Sequence, residues 1–415
     1  MPTLKVAGGL SCELRGRAEA RLLPGPAIHS VGWEAADFGL LRPRWLVKPG
    51  ERVRGGQPLL SDRRRPEILY VAPVSGALHC VESGPQRRLQ RLEILCDASI
   101  EVMNFAVKGA AERADALREL LLRSGLWPAL RARPYGRVPD PAARPAAIFV
   151  QAIDTQPLAA DPSAVIAAQQ ADFERGLQAL CLLGEGPVFV CQSAAQPWVA
   201  PGRQIRPVRI LGRHPAGLPG SSVHRLFPAG RHEVWEIHCQ EVIAIGYLLR
   251  EGRLLGQRWI SVAGAAAATP ALYALPPGAA LAEVASALGN QRPTMALSGS
   301  PLHGRSGHYL GRRNYQISLL GAATAPARRG WRDWFRSLAA STAMFPLERL
   351  DKVFPFAMPA TPLLRALSVG DVETAVELGA LELLEEDLDV LSQLCVSGRN
   401  YGALLRGLLD EWELG

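Results

Sequence analysis

Three features of the 415-residue sequence predict an α/β multidomain protein. Short β-like runs separated by glycine and proline crowd residues 45–96. A strand, a long helical pattern and two further strands follow between 147 and 211. From about Pro362 onward only helical periodicity remains. A chain this long exceeds one hydrophobic core, so two to four domains are expected.

Residues 1 to about 30 read as irregular, with turn signals at Gly8-Gly9 and Pro24-Gly25-Pro26. The runs WLVKPG, ERVRGGQPLL, ILYVAPVSGALHCVE and RLQRLEILC read as strands of a small sandwich or barrel. Their spacing has the rhythm of a swinging-arm carrier domain, in which a hairpin presents a lysine for lipoate or biotin. Here the hairpin is SDRRRPE, residues 61–67; it offers Arg63, Arg64 and Arg65 and no lysine. A guanidinium is no substrate for a lipoyl or biotinyl ligase, so this domain is expected to stay unmodified.

From Ala110 the sequence turns helical, with Ala116, Leu117, Leu120 and Leu121 on one face and Gly125 as the stop. The proline-rich loop WPALRARPYGRVPDPAARP follows. AAIFVQAID reads as a buried strand. Asp161-Pro162 opens a helix through Leu183, with aspartate as cap and proline at the first position. PVFVC and PVRIL read as strands, EVWEIHCQEVIAIGYLLREG as a helix, and QRWISVAG as a strand. Strand, long helix, strand is the order of a doubly wound α/β domain. Then ALYALPPGAALAEVASAL reads as strand, turn, helix, with MALSGSPLHG and YQISLLG as strands after it. That order suggests a small β-grasp unit. ARRGWRDWFRS leads to a helical tail with starts at Thr361-Pro362 and Asp371.

Apolar residues make up 48% and charged residues 20%, the balance of a soluble globular chain. The longest apolar candidate, residues 262–288, is broken by Pro270, Pro276 and Pro277, so no membrane span is expected. The first residues have no basic head followed by an apolar stretch, and a cytoplasmic chain is expected. The net charge is +7. No basic run interleaved with aromatics accompanies it, so nucleic acid is not an expected partner. None of the seven cysteines stands at C-x-x-C spacing, and all read as buried small hydrophobes.

Neither a G-x-G-x-x-G nor a G-x-x-x-x-G-K-[ST] occurs, which favours an α/β domain whose crevice is empty or altered. His214 and His224 share the loop HPAGLPGSSVH, which also holds Gly217; His232 and His238 follow. Their spacing is not that of metal ligands, and hydrogen-bonded or solvated histidines are expected. SGS at 298–300 reads as a turn, and no G-x-S-x-G elbow exists. Glu382, Glu385, Glu386, Asp387 and Asp389 read as a solvated helix face. No catalytic residue, cofactor ligand or metal ligand is expected.

Three blocks carry a resemblance. They are KPGERVRGGQPLL with YVAPVSG; LLRSGLWPALRARPYGRVPDP with IFVQAIDTQPLAADPSAVI; and HPAGLPGSSVHRLFP with VWEIHCQEVIAIGYLLREG. In that order they resemble the family of A subunits of the sodium-translocating NADH:quinone reductases (Na+-NQR). YLGRRNYQISLL and LGALELLEEDLDVLSQLC extend the likeness. The family is similar to the C subunit of the Rnf complex and, more distantly, to the NADH-binding subunit of respiratory complex I.

The resemblance implies a barrel-sandwich (biotinyl/lipoyl-like) N-terminal domain over 1–104 and a Rossmann-like α/β domain over 105–265. It further implies a β-grasp (SLBB-like) domain over 266–325, then a linker and C-terminal helical domain over 326–415. In the complex I relative a glycine-rich loop holds flavin. The matching stretch here, RSGLWPALRARPY, keeps only Gly125 and fills the rest with Trp127, Pro128 and Leu130, which denies backbone approach to a phosphate. Cys395 stands alone where relatives carry cluster cysteines, and one thiolate cannot hold a cubane.

The implied role is a cofactor-free peripheral component on the cytoplasmic side of the bacterial inner membrane. It would lie on the quinone-handling membrane component, the B subunit, with ubiquinone a candidate ligand. NAD(H), flavins and Fe–S centres would sit on other subunits. Two alternatives stand: an Rnf-type electron-input module that itself holds nucleotide and flavin, or a paralogue serving a related redox complex. The candidate quinone or partner surface comprises Gly125, Trp127, Arg131, Arg133, Tyr135, His214, Gly217 and His224. For Trp127 two readings stand, a functional surface or a core plug in the former flavin cavity.

Overall fold

The structure is a computed structural model, and it describes all residues except 40, 84–88, 99, 229–231, 291–293, 322–345 and 415. ARRGWRDWFRS and the linker as far as residue 345 lie outside the described residues.

Residues 30–96 form two facing antiparallel sheets. One holds Ser30–Glu34, Leu89–Cys96, Gly76–Ser83 and Arg52–Val53; the other holds Pro43–Trp45, Pro58–Asp62 and Leu69–Val71. Alternating side chains such as Leu59, Leu78, Leu92 and Ile94 fill the space between them. The 61–67 hairpin joins Pro58–Asp62 to Leu69–Val71, as its sequence predicts. Its tip is held: Arg65 donates to the Val138 carbonyl at 3.1 Å and pairs with Asp140 at 3.5 Å, while Arg63 donates to the Pro43 carbonyl.

A six-stranded sheet forms the α/β domain, in the order Thr3–Lys5, Ile205–Leu211, Val188–Gln192, Ala147–Ala152, Val234–His238, Arg131–Arg133. All neighbours run parallel except the last pair. Val188–Gln192 is buried at every residue, the mark of a strand covered on both faces. The helix read as one through Leu183 is two, Ser163–Ala168 and Gln170–Leu180, broken where Gln169 leaves helical geometry at φ −130°. Asp161 accepts from the Ser163 amide at 2.8 Å, a local turn ahead of the helix proper.

EVWEIHCQEVIAIGYLLREG is only partly helical. Val234–His238 is a buried strand, and the helix is Cys239–Glu251. The 3.6-residue pattern of the second half masked the β-branched and aromatic start. Residues 1–30 also depart from expectation. Thr3–Lys5 joins the edge of the six-stranded sheet, and Leu22–Pro24 joins the next sheet.

That next sheet runs Thr294–Ser298, Gln316–Gly321, Arg258–Ala263, Ala271–Leu275, Leu22–Pro24 and carries the helix Leu281–Leu288. Its hairpin, helix and parallel Arg258–Ala263/Gln316–Gly321 pair make a β-grasp arrangement. QRWISVAG, read with the α/β segment, supplies this sheet's middle strand.

The C-terminal helices Glu348–Val353, Ala360–Val369, Val372–Glu377, Asp389–Leu394 and Tyr401–Leu414 close around their own core, with Leu363, Leu364, Leu391, Tyr401 and Leu409 fully inside. Asp371 caps its helix by accepting from the Thr374 amide at 3.0 Å, as expected; Thr361 lies inside a helix and caps nothing. Among the described residues no helix is long and apolar enough to cross a membrane.

Candidate functional site

Ligands of open parallel sheets bind outside the carboxyl ends of the strands, where the strand order reverses. Here that place lies between Ala147–Ala152 and Val234–His238. It is nearly closed. Gln151, Asp154, His238, His303 and Tyr315 surround a cavity of only about 60 Å³. The His238 ring stacks on Tyr315 of the β-grasp domain, 3.5 Å between centroids and 12° between planes.

The adjacent helix N-terminus would ordinarily offer free amides to a phosphate. In this chain His238 caps it, accepting from the Gln240 amide at 3.3 Å. Glu241 in its first turn is buried and pairs with Arg258 at 2.6 Å, while Tyr315 donates to it at 2.8 Å. Burial, with Arg258 nearby, lowers the His238 pKa to about 3, so the ring stays neutral at pH 7.

The second predicted block folds inward. The helix Ala114–Arg123 ends in a Schellman turn: Leu126 donates to the Leu121 carbonyl and Gly125 to that of Leu122. Gly125 has φ +72°, and a Cβ there would stand 2.7 Å from Val71 of the barrel-sandwich domain. Trp127 is fully buried; its indole donates to the Pro139 carbonyl at 2.9 Å and meets Trp235 edge-on at 5.4 Å. Arg118 lies over both rings. Of the two readings of Trp127, the core plug is the one its burial supports.

Arg133 is not a surface residue either. It is 1% exposed, donating to Glu236 at 2.8 Å, Asp387 at 3.2 Å and the Glu382 carbonyl at 3.1 Å. Arg131 pairs with Glu236 at 3.3 Å, Glu385 at 3.1 Å and Glu386 at 2.5 Å. Arg406 pairs with Glu385 and donates to the Tyr135 carbonyl at 2.9 Å. The acidic stretch 382–389 is therefore no solvated face. It is the C-terminal half of an ion-pair network that docks the helical tail onto the α/β sheet. Burial opposes ionisation of Glu386, yet Arg131 and Arg133 hold its pKa down to about 2. At Asp387 burial prevails over Arg133 and pushes the pKa up to about 6.

Of the histidine loop, His224 serves the same junction, while His214 and Gly217 stay within the α/β domain. His224 accepts from the Ala357 amide through Nε2 at 2.9 Å, so its other nitrogen carries the proton it donates to Glu382. His214 is buried with Nδ1 3.4 Å from the Thr155 hydroxyl, and burial lowers its pKa to about 3. Gly217 donates to that hydroxyl at 2.9 Å, and a Cβ on it would sit 2.8 Å from the same oxygen. Among the described residues no group of three or more histidines, cysteines or carboxylates could hold a metal ion.

A large cleft also opens among the described residues, and sequence reading did not find it. About 690 Å³ opens between the hairpin tip, the β-grasp loop at 311–314 and the tail. Arg64, Arg65, Arg131, Arg137, Arg312 and Arg313 are among its walls. The sequence signal was the adjacent pair in YLGRRNYQISLL, whose surroundings come from three other segments.

Two family models agree with this architecture. The family model described as the NqrA N-terminal barrel-sandwich hybrid domain matches residues 4–97, and the NqrA second alpha/beta domain matches 112–254. The chain is 35% identical over 443 residues to the A subunit of the Na(+)-translocating NADH-quinone reductase of Yersinia pestis. It is 38% identical over 446 residues to that of Pseudomonas aeruginosa PAO1 and 34% over 444 to that of Klebsiella pneumoniae. Each alignment covers 99% of both chains. A solved NAD+-reducing [NiFe]-hydrogenase is 13% identical, covering 72% of this chain and 61% of its own, with a TM-score of 0.41.

Proposed function

The chain belongs to the NqrA family, the A subunits of the Na(+)-translocating NADH-quinone reductases, and we propose that within such a complex it is a cofactor-free docking component. The match along 99% of the chain carries the assignment to the complex. The small crevice supports the cofactor-free reading: about 60 Å³ accepts a water or two and no flavin, and His238 already accepts from the Gln240 amide at the helix start where a phosphate would bind.

As a complex, NADH is oxidised, quinone reduced and Na+ moved; this chain's part is to hold shape. It works as one tied body, because Arg65 pins the hairpin to the α/β domain and the Arg131/Arg133 network pins the tail. A carrier-type fold fixed in this way is a brace rather than an arm. We place the chain at the cytoplasmic face of the inner membrane, on the quinone-handling B subunit, with ubiquinone reaching its neighbourhood there.

The test is purification of the chain alone and reconstitution with membrane subunits from a strain lacking it. The purified chain should release no flavin on acid denaturation, and adding it should restore Na+-dependent NADH:quinone reductase activity. Stoichiometric flavin would overturn the cofactor-free reading in favour of an electron-input module. Full activity without the chain would overturn the docking role.

A further inference from the structure

The cleft between the hairpin tip, the β-grasp loop and the tail is lined by eight arginines against four carboxylates. Most of these arginines are already matched: Arg305 to Asp37, Arg65 to Asp140, Arg137 to Asp410 and Glu413, Arg406 to Glu385, and Arg131 to three carboxylates. Arg64, Arg312 and Arg313 form no ion pair among the described residues. Uncompensated guanidiniums gathered in one concavity repel one another, and that cost is lowered when an anion enters.

The display is built rather than accidental. The turn at 311–314 is closed by the Asn314 amide donating to the Gly311 carbonyl. Ser298 accepts from the Gly311 amide at 2.8 Å and from the Asn314 side chain at 2.6 Å. The Arg312 amide donates to Asp37 at 3.1 Å, and Arg258 holds the Arg312 carbonyl at 2.6 Å. Arg312 itself lies 4.7 Å above the Tyr70 ring and 5.5 Å from Phe38, which fixes its plane. Arg313 makes only two long contacts, at 3.4 Å to the Pro128 and Leu130 carbonyls, and is exposed to the cleft.

We propose that this cleft binds a phosphate-bearing small molecule, its phosphate seated on the adjacent guanidiniums of Arg312 and Arg313, with Arg64 adding a third positive charge. Two forked guanidiniums match phosphate oxygens, and the excess of arginine over carboxylate asks for more than one negative charge. The volume, about 690 Å³, is far above that of a bare ion and within the range of small-molecule sites. Phe38, half-buried in the wall, offers an apolar contact for whatever group the phosphate carries. The cleft adjoins the small crevice, sharing Arg313 and Asn314 as a common wall, and the proposal does not depend on the docking role.

The test is calorimetric titration of the full chain with inorganic pyrophosphate, ADP and vesicles of phosphatidylglycerol or phosphatidylcholine. Pyrophosphate should bind saturably with one site per chain. R313A and R64A should each weaken it roughly tenfold or more, as loss of a charge-assisted bond does. R203A, at an exposed arginine outside the cleft, should leave it unchanged. Tighter binding of ADP identifies a free nucleotide as the source, whereas binding to phosphatidylglycerol but not phosphatidylcholine vesicles, without ADP binding, identifies a lipid headgroup. Both support the site. Absence of saturable pyrophosphate binding at millimolar concentration would overturn it, and so would equal loss in R203A; a cleft filled by an acidic protein segment would give the first of these results. R313A and R64A carry the test because both side chains are exposed and their removal leaves the fold intact, which a thermal melt checks.

Discussion

Arg133→Met probes how the tail is attached. The substitution keeps most of the apolar stem and removes a guanidinium that is 1% exposed. Glu236 keeps Arg131 at 3.3 Å. Asp387 loses the one ion pair it makes among the described residues, with its second oxygen already lacking a hydrogen-bond partner there. Breaking a buried pair from one side costs about 3–5 kcal/mol. For a cooperative unit of 60–100 residues each kcal/mol moves the midpoint by about 4–8 °C, so the tail's transition should fall by at least about 12 °C. Differential scanning calorimetry resolves it, and limited proteolysis should release the C-terminal helices earlier. R133M/D387L should recover part of the loss, since an apolar pair leaves no charge stranded. A transition within 2 °C of wild type (~0.5 kcal/mol at most), with unchanged proteolysis, would refute the network as the attachment.

Two further outcomes follow from the same geometry. Glu386 has its folded pKa depressed to about 2, so its contribution is complete above the unfolded value near 4.5 and is lost as pH falls through that window. E386Q should flatten the acid limb of a stability–pH curve there by up to about 1.4 kcal/mol per pH unit; an unchanged limb rejects the assignment, and Asp387, raised instead, pulls the other way. Gly125→Ala forces a left-handed alanine and drives its Cβ into Val71, and should cost about 1–2 kcal/mol or more; G125A in a V71A background should cost measurably less, and equal costs would show that backbone strain alone is at work.

The elements with strong local patterns were legible from sequence. Ala147–Ala152, Val188–Gln192 and the helix at 114–123 stood out because period and composition agreed. Val234–His238 did not, because its apolar-rich run leads directly into a helix with no turn residue between them. The site was legible in halves. The arginines of RARPYGR and the carboxylates of LEEDLD were both conspicuous, yet Arg131 and Glu386, 255 residues apart in the chain, carry no sign that they meet. An exposed charge and a paired buried one have the same letter. Trp127 posed the same problem for aromatics, since nothing in its neighbouring sequence says that it packs against Trp235.

The strand Thr3–Lys5 pairs with Arg209–Leu211, and Leu22–Pro24 with Leu272–Ala274. A ribosome adding roughly 5–20 residues per second makes the first strand about 10–40 s before its partner exists. The barrel-sandwich domain, whose strands all lie within residues 30–96, can close in that interval. The leading segment must wait until two later sheets emerge. Synthesis therefore cannot complete this molecule one domain at a time, and its earliest residues are among the last to find their places.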